Sequence, residues 1–184
     1  MHITIFCLLG LLALVAQSSI GQIVYSDDFD VDSSANWAVN GGPSDEAANF
    51  FFDYGTIGIP SAPNSSGTTR GVKLQVNQSS GTFGGFSVSP LGQSFSGNYE
   101  LRLDLWLNFN GPAPFGGHGS TQLGGAGIGT AGTTAQWPGG VQDSVWFMAT
   151  GDGFSNADFR AYSSAVMGGY QDNSGVYAAG NLAG

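Results

Sequence analysis

Basic side chains are almost missing from this sequence. Arg70, Lys73, Arg102 and Arg160 are the only four Lys or Arg among 184 residues, against thirteen Asp and Glu, for a formal net charge of −9. A nucleic-acid partner is excluded on that ground, because phosphate neutralisation needs clustered Lys and Arg. Anionic membrane surfaces are excluded for the same reason. Cysteine is scarcer still. Cys7 stands alone, inside an apolar stretch near the amino terminus, so the domain that follows must be held by burial and strand pairing without disulfides. Histidine is limited to His2 and His118, too few for a zinc centre or a Ser-His-Asp triad to rest on. Charged residues make up only 9% of the chain, and no amphipathic helical periodicity follows the leading segment; exposed helices usually carry many Lys and Glu.

Glycine is abundant instead. It supplies 31 residues of 184, against an average near 7%. Hydrophobic residues reach 41% and aromatics 12%, enough for a packed core. Short strands joined by Gly-rich turns produce this composition, and helix bundles do not.

The leading segment resembles an export signal. Ile3–Ala16 is a continuous apolar run followed by Gln17-Ser18-Ser19-Ile20-Gly21-Gln22. Small residues at Ser19 and Gly21 suit cleavage before Gln22, and Ala16 with Ser18 suit a cut after Ser18. The run falls short of the roughly 18–20 residues a membrane span requires. The expected organisation is a signal peptide at 1–21 and a secreted β-domain at 22–184.

The most regular stretch is Tyr99–Phe109. Tyr99, Leu101, Leu103, Leu105, Leu107 and Phe109 alternate with Glu100, Arg102, Asp104, Trp106 and Asn108. Strict period-two alternation predicts a β-strand with one face in the core, here the central strand of the domain. Further strands are expected at Gln22–Phe29, near Trp37–Val39, at Phe50–Tyr54, Gly71–Asn77, Phe83–Ser89, Leu123–Thr130, Asp143–Thr150 and Phe159–Ser163. A single helical turn is expected at Ser44–Ala48, capped by Ser44. Gly168–Gly184 carries no strand signal. Together these predict an all-β fold of two antiparallel sheets packed face to face.

Few motifs carry chemistry. Asp28, Asp30 and Asp32 have the spacing of calcium-loop oxygens, but Ser33 and Val39 stand where an EF-hand needs Gly and Glu. These residues are either a non-EF-hand calcium site or an acidic strand end. Gly127-Ile128-Gly129-Thr130-Ala131-Gly132 matches the dinucleotide fingerprint, yet no βαβ unit surrounds it, which excludes a dinucleotide. Glu100 and Asp104 share a strand face about 13 Å apart at 3.3 Å per residue, farther than a glycosidase pair requires. Asn64-Ser65-Ser66 and Asn77-Gln78-Ser79 match N-glycosylation acceptors. Trp106, on the polar face of the long strand, and Trp137, in a Gly/Pro loop, are candidate sugar-stacking rings, with Asp104 and Asn108 to read hydroxyls. The alternative is that Trp106 and Trp146 fill a second core layer.

Asp27-Asp28-Phe29-Asp30 with Trp37, Phe50–Asn64, Leu103–Pro112 and Gln142–Gly153 resemble segments of secreted bacterial proteins, many with a PEP-CTERM-type sorting anchor. That resemblance implies a concanavalin A-like (laminin G-like) jelly-roll sandwich. It carries over no catalytic residue, because the family's glucanases use Glu-x-Asp-x-x-Glu and this strand begins Glu100-Leu101-Arg102. The anchor is not seen in this sequence, and relatives continue with more strands, so a truncated chain is expected. The expected function is a non-enzymatic extracellular or cell-surface domain that binds a polysaccharide or cell-surface glycan, with calcium the one candidate cofactor. A glycan hydrolase or lyase and a structural surface-layer component without ligand are the alternatives.

Overall fold

A computed structural model of the chain describes residues 22–42, 44–79, 81–82, 84–107, 123–129, 145–150, 159–163 and 166–170. The described secondary structure is β apart from two short 3-10 turns, at Ser34–Asn36 and Tyr54–Ile57. Eight strands follow in order: β1 (Trp37–Asn40), β2 (Ala47–Asp53), β3 (Arg70–Gln75), β4 (Ser87–Pro90), β5 (Leu123–Ile128), β6 (Val145–Thr150), β7 (Phe159–Ser163) and β8 (Val166–Tyr170). The fold is all-β, as the composition predicts. The strands form three antiparallel sheets: β1 with β4, β2 with β3, and a four-stranded meander β5-β6-β7-β8.

The first two sheets meet through aromatic rings. Trp37 of β1 stacks on Phe50 of β2, with centroids 5.8 Å apart and planes 26° apart. Phe29 lies against both rings. Phe50 is 5% exposed, and burying such a side chain contributes about 1.5–3 kcal/mol. A line of rings runs on from Trp37 through Tyr25 and Phe95 to Tyr99. Asn40, at the end of β1, donates to the Ser89 hydroxyl of β4 at 2.9 Å and ties the pair together. Among the meander side chains described, Trp146 of β6 is buried, 4% exposed, while Val145 and Phe147 are exposed. Trp146 is thus buried, as the core alternative for it expects, whereas Trp106 is 48% exposed.

Most expected strands are found with shifted ends, and β7 matches its expected bounds. Three lesser expectations are corrected first. Gln22–Phe29 is irregular chain rather than a strand. The Asp27 and Asp28 side chains accept from the backbone N–H groups of Phe29 and Asp30, and Phe29 takes a φ of 57°. Both effects divert the backbone from a ladder. Ser44–Asp45 is a turn leading into β2, not a helical turn. Val166–Tyr170 forms β8 where only the Gly-rich tail was expected.

The largest correction concerns Tyr99–Phe109. Residues 99–107 form no strand, and no described strand pairs with them. Leu101, Leu103 and Leu105 are 48%, 54% and 50% exposed, so they do not fill the space between two sheets. The two sides of the stretch still face different neighbours. Leu105 and Leu107 turn toward β5, where a side chain on Gly124 would meet the Leu107 Cδ1 at 3.1 Å. Asp104 and Trp106 turn toward the segment between β2 and β3. Alternation set the direction of the side chains, and burial needs a second layer that the described residues do not provide.

Candidate functional site

The candidate site is built on the long connection between β2 and β3. β2 ends at Asp53, whose carboxylate caps the 3-10 turn by accepting from the Gly55 N–H at 3.0 Å and from the Thr69 hydroxyl at 2.6 Å. The Thr69 bond, the Gly55 N–H and the nearby Arg70 guanidinium hold the Asp53 carboxyl below its usual range. Tyr54 follows. Its ring packs edge-on against Phe52 at 5.0 Å and lies over Gly71 of β3, where an added Cβ would approach within 3.2 Å. Its hydroxyl donates to the Val72 carbonyl at 3.0 Å, and burial pushes its pKa upward. The fixed ring then receives Trp106 edge-on at 5.9 Å.

The loop 61–69 closes the site on the other side. It has little apolar content, so polar bonds must hold it. Asp104 accepts from the Asn64 backbone N–H at 2.9 Å and from its side-chain amide at 2.8 Å. Asp30 accepts from the Ser66 hydroxyl at 3.1 Å and from the Thr68 hydroxyl. With Asp53 on Thr69, three carboxylates from separate parts of the chain latch one loop. The outcome is a surface that carries Trp106, 48% exposed and packed on Tyr54, two residues along the chain from the Asp104 that holds Asn64.

The sequence-predicted residues are thus divided. Trp106 and Asp104 come together, on the expected side of the stretch. Asn108 and Trp137 lie outside the described residues. Asp28, Asp30 and Asp32 are committed to different partners: Asp28 to the Asp30 N–H, Asp30 to Ser66 and Thr68, and Asp32 to the Ser34 N–H, which also lowers the Asp32 pKa. Among the described residues no three His, Cys, Asp or Glu side chains are gathered to hold a metal ion. Both glycosylation-type asparagines use their side-chain amides internally, Asn64 on Asp104 and Asn77 on the Gly84 carbonyl at 2.8 Å.

The charges also limit the chemistry. Arg102 binds Glu100 at 2.9 Å and holds that carboxyl below its usual range, the opposite of what a general acid needs. Arg70 lies over the Phe51 ring at 3.9 Å and Lys73 over Phe52 at 4.2 Å. The three basic side chains described are therefore already engaged, which suits a neutral ligand better than an anionic one. Sequence reasoning missed Tyr54, Asn64, Ser66 and Thr68. Their signal was the density of hydroxyl and amide side chains in a loop too polar to pack. Among the described residues no helix is long and apolar enough to cross a membrane. The chain matches no protein-family model, and comparison with the curated proteins and with solved structures gives no match.

Proposed function

We propose that the protein is a non-enzymatic extracellular or cell-surface domain of jelly-roll kind that binds carbohydrate on the Trp106 surface. One observation carries this proposal: Trp106, half exposed and steadied by Tyr54, shares its short stretch and its side with Asp104, whose carboxylate already holds Asn64. A flat ring stacks on the C–H face of a sugar, and neighbouring oxygens and amides bind its hydroxyls. Asp104 retains acceptor capacity after its two bonds from Asn64, because an ionised carboxylate offers about four lone-pair sites. The engaged state of Arg70, Lys73 and Arg102 favours a neutral polysaccharide.

The test is retention on an array of neutral polysaccharides, followed by titration of tryptophan fluorescence with the retained glycan. Trp106→Ala should weaken binding by at least about tenfold, the loss typical of a central aromatic contact. Unchanged binding in that variant would remove Trp106 from the role and the proposal with it.

A further inference from the structure

We propose that Asn64 selects the ligand of the Trp106 surface. Asp104 fixes the Asn64 side-chain amide with its carbonyl oxygen turned away from the carboxylate, so the site takes a neutral glycan that donates a free hydroxyl there and refuses one whose hydroxyls are O-alkylated or O-acylated. This inference rests on the carbohydrate reading of that surface and adds the residue that discriminates between ligands.

The orientation follows from Asp104. One oxygen of its carboxylate accepts from the Asn64 backbone N–H at 2.9 Å, and the other accepts from the Asn64 Nδ2 at 2.8 Å. An ionised carboxylate only accepts, so the amide must turn its nitrogen toward Asp104. The Asn64 Oδ1 is carried on the other arm of the amide, and no donor reaches it among the described residues. Asn64 itself is exposed. The loop around it is held as well. Asp30 accepts from Ser66 and Thr68, and the Ser65 hydroxyl lies 2.9 Å from the Ala62 carbonyl and 3.3 Å from that of Thr68. The Asn64 oxygen is therefore set before a ligand arrives, and groups fixed in advance lose little freedom on binding. Asp104 and Trp106 turn to the same side of their stretch, with Cα atoms at most about 7 Å apart, so a chain of sugars can meet both the ring and this acceptor. An O-methylated glycan keeps its C–H faces and its ether oxygens, but it has no hydrogen to give to Asn64. A polar group placed to receive a hydroxyl discriminates against the analogue that lacks one.

On an array printed with each neutral polysaccharide in native and in fully O-methylated form, the full chain should favour the native form by at least about fivefold. Asn64→Ala should cut that preference to under about twofold. Asp104→Asn is the sharper variant. An amide at position 104 still accepts from the Asn64 backbone N–H, but its own NH2 then faces the Asn64 side chain, which must flip to accept from it. Both bonds persist, so the melting temperature should hold, while the group that Asn64 turns to the ligand becomes a donor. The preference for free hydroxyls should therefore vanish in Asp104→Asn, which a merely structural role for Asp104 does not produce. The orientation also has a readout without sugar. In NMR, the Asn64 side-chain NH2 should exchange with solvent at least about tenfold more slowly in the parent than in Asp104→Ala. An unprotected Asn64 amide in the parent overturns the proposal whatever the array gives. So does a preference that Asn64→Ala and Asp104→Asn both leave unchanged while Trp106→Ala still weakens retention; that result keeps the carbohydrate site and removes Asn64 from selection. Retention of no glycan by the parent ends both readings.

Discussion

Trp37 and Phe50 on one side, and Leu101–Leu105 on the other, make an instructive pair of regions. β1 and β2 show only weak alternation in sequence, yet their rings stack and Phe50 is 5% exposed. The leucine stretch alternates without a fault over eleven residues, yet its leucines stand about half in solvent. Periodicity states which side chains share a face. Whether that face is buried depends on what is laid against it, and that information is carried by other segments. Large rings also reach several neighbours at once, so a few of them build a core with little patterning.

Four experiments would break or sharpen this contrast. The largest effect is expected at Phe50→Ala, which should cost about 3–5 kcal/mol in a denaturant titration; a loss of under about 1 kcal/mol would mean that the ring cluster is not the core. Acid comes next. The Thr69 hydroxyl, with the Gly55 N–H and Arg70, holds the Asp53 carboxyl below the ordinary range of an unfolded aspartate. It therefore binds its proton more readily when unfolded, and its contribution is present above that range and lost as pH falls through the lower folded value. The melting temperature should drop below about pH 4, and Asp53→Asn should flatten that drop. A third, local effect is expected at Asp104→Ala, which removes both bonds to Asn64. Hydrogen exchange at the Asn64 amide should accelerate by at least about tenfold while β1 and β2 stay protected. The smallest effect is expected at Leu103→Asp. Its unfolding free energy should stay within about 0.5 kcal/mol of the parent, since the site is exposed. A collapse of folding there would show that the leucine row is core after all.

Much of the β architecture was legible in the chain. β7 was placed to the residue, and β1, β2, β3, β5 and β6 were placed to within a few. Composition alone excluded a helical fold. The misses have physical reasons. Gln22–Phe29 looked extended, but adjacent Asp27 and Asp28 offered the backbone closer partners than a neighbouring strand. At the candidate site, Trp106 and Asp104 were legible from their shared side. Asn64 and Tyr54 were not, because their roles depend on contacts across 40 and 52 positions of chain. Such pairings leave no local pattern.

The line of rings from Trp37 through Tyr25 and Phe95 to Tyr99 joins the buried centre of the first two sheets to the start of the leucine stretch. The line ends on an indole whose nitrogen donates to the Asp27 carboxylate at 2.8 Å. Rings held in fixed contact give a near-UV circular dichroism signature, and its loss would report that the buried centre and the leucine stretch have parted.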